Sequence, residues 1–390
     1  MRLPESWKLR LVPTTMGYRA SEVPPPVAVP DEPIRLLIAP ANYAGQGFEW
    51  ARAAERLPGV GARNLTITRP GSPDFASDAS VSETVAVRSA GWIRRQVEAV
   101  ERFTHVLYEA ERPMLGGLVG GDIRREVEQL AGAGLRIGFV SHGSDLRLPS
   151  RHAELDPWSP FRDADWDLLP VLEQVASQNS AFLREQDGPV FVSTPELIID
   201  HPGAVWLPAV VDPERWRADR PPLGGGRPVV LHAPTNEVIK GSLLIEPHVT
   251  PLHDRGAIEY RRLRGVAASE MPAAIAASDI VLEQFRLGIY SVAAVEAMAA
   301  GRIVVGHVSP QVRAHVRSVS GIDVPIVQAT PDTIEDVLLA IIADPHSYGE
   351  LAARGPSFVR AVHDGALSAE VLAPFLGAEP ARRDQETAHP

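Results

Sequence analysis

The sequence predicts an α/β protein with mostly parallel sheets. Short apolar runs alternate with amphipathic helical segments through the whole chain, the pattern of strand–helix–strand units. At 390 residues the chain is long for one domain and comfortable for two, each able to bury a sizeable core. Hydrophobic residues make up 45% and charged residues 22%, which is ordinary globular composition.

Composition also excludes classes of function. A net charge of −11 argues against a nucleic-acid partner, because phosphate contacts need a basic surface. No run of eighteen apolar residues is present, so no membrane span is expected, and the N-terminus lacks the apolar core of a signal peptide. With no cysteine there is neither a disulfide framework nor a thiolate metal site. A cytoplasmic protein is the default expectation.

Residues 1–33 read as an irregular, proline-bearing lead-in, with Trp7 and 9–12 as a docking point. Ile34–Ala39 is the first buried strand, and it runs into a loop with Gly45 and Gly47 ahead of a helix starting near Phe48. Glycines there let backbone N–H groups approach a ligand closely, although turns use glycine for steric reasons too. Strands are expected at 64–68, 104–108 and 136–140, and helices at 85–99 and 123–133. The strand at 136–140 ends in Ser141, His142, Gly143, Ser144, Asp145, Leu146 and Arg147. Open α/β sheets bind ligands at the carboxyl ends of their strands, so His142 with Asp145 and Arg147 makes a candidate site.

Two apparent metal motifs are set aside. Asp163, Ala164 and Asp165 lie in a Trp- and Pro-rich loop, where carboxylates form solvated turns. His152 and Glu154 lack further ligands at usable spacing, so no metal is expected. A helix at 172–185 and a strand at 189–192 follow, then a hinge at 217–227 with two prolines and Gly224, Gly225 and Gly226.

A strand at 228–232 opens the second half and leads to Lys240, Gly241 and Ser242. A cation on a flexible backbone at a sheet's carboxyl edge suits a departing diphosphate. A strand-like segment at 259–263 and a short helix at 272–277 precede the most informative stretch, 278–306. It parses as a strand at Ile280–Leu282, a loop, a helix at 291–300, a stop at Gly301 and a strand at 303–305. Val292, Val295 and Ala299 give the helix one apolar face, Ser291 is a candidate cap, and Gly301 suits the left-handed residue that ends a helix. Tyr290 and Ser291 therefore stand at a helix N-terminus able to attract a phosphate, and Glu296 one turn further in is placed to hold a ribose diol. Helices at 332–343 and 357–375 and a disordered tail from 377 complete the chain. His363 and Asp364 are expected on the surface.

The run AVEAMAAGRIVV, ending at Val305, resembles the nucleotide-sugar segment of retaining GT-B glycosyltransferases, glycosyltransferase group 1. The resemblance implies two Rossmann-like domains facing across a cleft. One would span 34–216, joined by a final helix at 357–376; the other, at 228–356, would bind the donor. It implies a sugar moved with retention from a UDP- or GDP-linked donor to a hydroxyl acceptor, without metal or cofactor. In that group the Glu296 position holds the donor ribose, and a strand-end histidine, here His142, contacts the sugar. The Lys240–Gly241 pair binds the diphosphate. The first-loop residues Asn42, Gly45, Gln46 and Gly47 would meet the donor phosphates or the acceptor. The chain departs from the pattern twice. Gly288 replaces a glutamate that contacts the transferred sugar, with Glu283 as candidate substitute, and the basic residue of the phosphate loop has no match nearer than His232. These departures keep open a catalytically silent subunit that binds a partner or acceptor; a GT-B epimerase or sugar phosphate synthase is a further alternative.

Overall fold

The computed structural model describes residues 17–163 and 166–379. The docking point expected at Trp7 and 9–12, Asp165, and the tail beyond residue 379 lie outside the described residues. Among the described residues the strands are β1 (Ile34–Ala39), β2 (Val60–Thr68), β3 (Ala79–Ser82), β4 (His105–Glu109), β5 (Arg136–Ser141), β6 (Val190–Val192), β7 (Val205–Trp206), β8 (Val229–His232), β9 (Glu259–Arg262), β10 (Ile280–Leu282), β11 (Ile303–Gly306) and β12 (Val327–Gln328). They form two sheets, ordered β3-β2-β1-β4-β5-β6-β7 and β12-β11-β10-β8-β9. The ladders joining β1 to β2 and β4, β2 to β3, and β4 to β5 are parallel. So are those joining β8 to β9 and β10, and β11 to β10 and β12. The expected mostly parallel α/β class is what forms.

The chain divides into two compact units. Among the described residues, one holds 17–142, Phe182–Phe191 and 365–379; the other holds those of Gly143–Ala181 and Val192–Asp364. Segments 143–181 and 192–216, read above with the first domain, thus group with the second unit. In each sheet the strand order reverses once, between β1 and β4 and between β8 and β10. At such a point the loops leaving adjacent strands part to opposite faces and open a crevice at the carboxyl edge.

Several elements differ from their sequence expectation. The helix expected at 85–99 is two, Glu83–Arg88 and Ala90–Val100, because Ser89 leaves helical geometry and its hydroxyl caps Trp92 N. Ser242–Asp254 is helical despite Pro247 and Pro251, its buried face of Ile245, Val249 and Leu252 packing into the second unit's core. Pro310–Ser320 is a further helix that the sequence reading passed over. The helix expected at 357–375 breaks into Gly355–Val362 and Ala366–Leu376 around Gly365, whose φ is 96°. At that break His363 is buried, against the expectation of a surface residue. Its Nδ1–H donates to Ala209 O at 2.7 Å, and Nε2 accepts from the Tyr290 hydroxyl at 3.1 Å. No helix among the described residues is long and apolar enough to cross a membrane.

Burial pushes His363 down to about 4, so the folded chain holds it neutral. Its ordinary value is near 6.5, so protons favour the unfolded chain throughout that interval. The stability this site contributes is present above pH 6.5 and is lost as pH falls, by about 1.4 kcal/mol per unit towards pH 4. Thermal melts at pH 7 and pH 5 should therefore differ less for His363→Gln than for the wild type.

Candidate functional site

In the first unit, the β1–β4 crevice is filled by a carboxylate. Glu109, fully buried at the end of β4, accepts the amides of Ala41 at 3.0 Å and Asn42 at 2.9 Å. A turn made by successive amides is an anion-binding shape, and here the anion is internal. The first loop is built around that contact. Asn42 adopts a left-handed conformation, φ 51°, and its side chain accepts from Phe48 N at 3.1 Å while donating to Ala76 O at 2.9 Å. Gln46 and Gly47 are buried in the first turn of Gln46–Ala54, and Gly45 precedes them at φ 75°. A Cβ at Gly47 would lie 2.5 Å from Asn64 Nδ2 and 2.9 Å from Glu109 Oε2, so glycine is there for steric reasons. The amides of Ala41 and Asn42, part of the loop read as a ligand cradle, thus already hold Glu109.

His142 follows β5, with Nε2 3.4 Å from Glu109 Oε1. Its ring lies edge-on to Tyr43 at 5.1 Å and tilted against Trp50 at 5.4 Å. The neighbouring turn is strained: Ala110 and Glu111 have φ of 56° and 51°, and Glu111 accepts from the Ser141 hydroxyl at 2.7 Å. Non-glycine residues persist in such conformations where surrounding contacts hold them, often at functional sites. Sequence reasoning missed Glu109 and Glu111; acidic residues immediately after the apolar run at 104–108 were the available signal.

In the second unit, the β8–β10 crevice brings the sequence candidates together. Asn236 caps the turn Glu237–Lys240 through Ile239 N, and Gly241 follows at φ 78°. The Lys240 ammonium pairs with Glu283 at the end of β10 and reaches Ser291 Oγ at 3.0 Å. The Ser291 hydroxyl in turn donates to Glu283 Oε1 at 2.5 Å, so it is not a conventional cap for Val292–Ala299. Glu283 Oε2 stands 3.4 Å from Ser291 N, at the positive end of that helix. Glu296 belongs to the same electrostatic cluster. Burial pushes its carboxyl up to about 8; the positive charges of Arg215 and Lys240 oppose the rise, and Glu283 adds to it.

Other candidates fall elsewhere. His232 is neither exposed nor cationic. Its Nδ1–H donates to Leu282 O and its Nε2 accepts from the Ser242 hydroxyl, both at 2.8 Å, and burial pushes it down to about 4. It does not supply the missing positive charge of the phosphate loop. The Tyr290 side chain turns inward to His363, leaving only its backbone at the helix start. Asp145 bends back to accept Gly143 N at 2.5 Å, shaping the turn.

A second cation, missed in the sequence, flanks the loop: a Cβ at Gly241 would lie 3.0 Å from Arg286 Cγ. The Arg286 guanidinium binds both oxygens of Asp163, at 2.6 and 2.7 Å, and the carbonyls of Trp158 and Ser159. Asp163, dismissed above as a solvated turn former, is thus an ion-pair partner. Gly288 is closed to a larger residue. Its φ is 63°, and a Cβ would lie 3.1 Å from both Asp156 Oδ2 and Ser309 Cβ. The carboxylate beside position 288 is therefore Asp156, which pairs with His307 Nε2 at 2.9 Å.

No family model and no curated protein matches the chain. Solved structures do. A sucrose-phosphate synthase from Thermosynechococcus elongatus aligns over 87% of this chain and 97% of its own, at 13% identity and a TM-score of 0.55. Anabaena HepE in complex with UDP-glucose aligns over 88% and 99%, at 12% identity and 0.52. An alpha-glucosyltransferase in complex with UDP-glucose and DNA containing an abasic site aligns over 88% and 99%, at 10% identity and 0.56. These neighbours are GT-B glycosyltransferases, and the chain has their fold. At such identities the likeness concerns the fold alone.

A raised Glu296 binds an extra proton in the folded state, so the stability it contributes is present below pH 4.5 and is lost as pH rises through 8. Glu296→Gln removes that loss. Its melting temperature should exceed that of the wild type by a wider margin at pH 8.5 than at pH 6.

Proposed function

We propose that the chain is a glycosyltransferase that moves a sugar from a nucleotide diphosphate donor to a hydroxyl acceptor. One observation carries this reading. Lys240, Ser291 and the N-terminus of Val292–Ala299 converge on the β8–β10 crevice, with Glu296 in the same cluster. That assembly supplies a cation and unpaired amides for a diphosphate, with a carboxyl group for a ribose diol beside them. HepE and the alpha-glucosyltransferase, which share the fold, are solved with UDP-glucose, which supports UDP as the first donor to try.

In this reading Glu283 is a holder, not the sugar contact. It fixes the Lys240 ammonium and the Ser291 hydroxyl, and a lysine has three N–H donors, so one remains for an incoming phosphate oxygen. As the sugar–phosphate bond breaks, the ammonium and the helix end stabilise the negative charge on the departing diphosphate. Glu296 accepts from the ribose. The resemblance gives His142, which Glu109 orients in the first unit, the role of a sugar contact. Retention of configuration follows from the group that the 279–305 segment resembles.

A catalytically silent subunit that binds a partner or acceptor is the second reading. The pairing of Lys240 with Glu283, and of Arg286 with Asp163, favours it, because both cations are already partly neutralised. Incubation with UDP-glucose and with GDP-mannose separates the two: slow release of free sugar with either supports transfer, and binding without turnover supports the silent subunit. In the transferase reading Lys240 lies on the phosphates. Lys240→Ala should weaken UDP about tenfold or more, the scale of one charge-assisted hydrogen bond, and leave uridine little changed. Equal losses for both ligands in calorimetry would remove Lys240 from the phosphate site.

A further inference from the structure

The helix Val292–Ala299 starts at Ser291, yet no side chain caps its first turn. The Ser291 hydroxyl donates to Glu283 and accepts from the Lys240 ammonium instead. A helix start whose cap is diverted keeps its amides open, but lacks the contact that ordinarily fixes the first turn. The residue before the cap can take over that task by packing inward and setting the angle at which the chain enters. Here that residue is Tyr290, which is buried. Its hydroxyl donates to His363 Nε2 at 3.1 Å, and its ring lies edge-on to His363 at 5.6 Å and to Phe358 at 6.4 Å.

His363 is itself held from several sides. Its Nδ1–H donates to Ala209 O at 2.7 Å, and its carbonyl accepts from Val211 N at 2.8 Å. The rings of Trp206 and Phe358 stand 6.1 and 5.5 Å from the imidazole. With Nδ1 committed as the donor, Nε2 keeps its lone pair and accepts from the phenol. A phenylalanine would fill the space of Tyr290 but leave that buried nitrogen unpaired, which is costly. We propose that His363 is a positioning residue of the donor site. Through the Tyr290 hydroxyl it sets the start of Val292–Ala299, and with it the amides and the Ser291 hydroxyl offered to a diphosphate. Tyr290 adjoins Ser291, so a shift of its ring reaches the helix end through a single peptide unit. Glu296 lies beyond the first turn, which Ala294 N and Val295 N close on Ser291 O at 3.0 and 3.2 Å. Loss of the His363 contact therefore disturbs the phosphate end more than the carboxyl read as the ribose holder. The identity of the ligand rests on the transferase reading; the hold of His363 on the helix start does not.

The test uses the full chain and three single variants. Tyr290→Phe deletes the hydroxyl and keeps the ring. His363→Gln presents an amide oxygen where Nε2 stood, whereas His363→Asn reaches only as far as Nδ1. UDP and uridine affinities are read by calorimetry. Amide hydrogen exchange is read over residues 291–295, with the helix Ile334–Ala343 as reference. Tyr290→Phe and His363→Asn should each weaken UDP by about fivefold or more, the scale of one hydrogen bond, and uridine by less than about twofold. Exchange at 291–295 should quicken while the reference helix stays unchanged, and His363→Gln should restore UDP binding to within about twofold of wild type. Undiminished UDP binding by Tyr290→Phe overturns the proposal. So do equal losses of UDP and uridine, or faster exchange in both helices alike, which would make the pair a general stability contact. Should the His363 variants fail to fold, Tyr290→Phe alone decides. Failure of the wild type to bind UDP sinks the transferase reading instead, and leaves the hold on the helix start to be judged on the exchange at 291–295.

Discussion

The sites in both units depend on one constraint: a crevice in a parallel sheet leaves donors that something must satisfy. Where the strand order reverses, the loops above two adjacent strands part, and backbone N–H groups lose neighbours that would otherwise accept from them. In each unit a glutamate at the end of the second of those strands answers this. Glu109 ends β4 and binds the loop that leaves β1. Glu283 follows β10, pairs with Lys240 from the loop after β8, and stands at Ser291 N. Hydrogen bonds to an ionised carboxylate are stronger than those between neutral groups, so each contact fixes its loop firmly.

An internal anion at such a crevice changes what a ligand meets. In the first unit the amides of Ala41 and Asn42 are occupied by a carboxylate that is fully buried. Those two amides are bound within the chain, and Tyr43 of the same loop packs edge-on against His142. In the second unit Glu283 is shared between a lysine and a helix end, and the lysine keeps donor capacity. The two crevices have the same construction and different chemistry, because one carboxylate faces a histidine and the other an ammonium.

Much of this was legible in the sequence. Ile34–Ala39 and Ile280–Leu282 form with the expected bounds, since continuous apolar runs bounded by turn residues leave little choice. Gly301 takes the left-handed conformation expected of it, φ 63°. The convergence of Lys240, Ser291 and Glu296 was implied by the resemblance. What was not legible depends on distant partners. Glu109 meets residues 67 and 68 positions away, and Arg286 meets Asp163 across 123. The helix Ser242–Asp254 was hidden by its prolines: Pro247 and Pro251 argue locally against a helix, and burial of Ile245, Val249 and Leu252 outweighs them.

Gly288 illustrates how a departure from a family pattern becomes readable once packing is known. Read alone, its missing side chain suggested a lost function. In the fold, the space its Cβ would occupy is bounded by the Asp156 carboxylate and by Ser309. Asp156 is brought there by a segment that Arg286 clamps through two backbone carbonyls and Asp163. Arg286 lies two residues before Gly288 on the same loop. The loop thus carries the arginine that anchors another chain segment, and the Asp156 carboxylate of that segment lies beside Gly288. That carboxylate is under the geometric control of the loop, because the two segments are locked to each other by a bidentate ion pair.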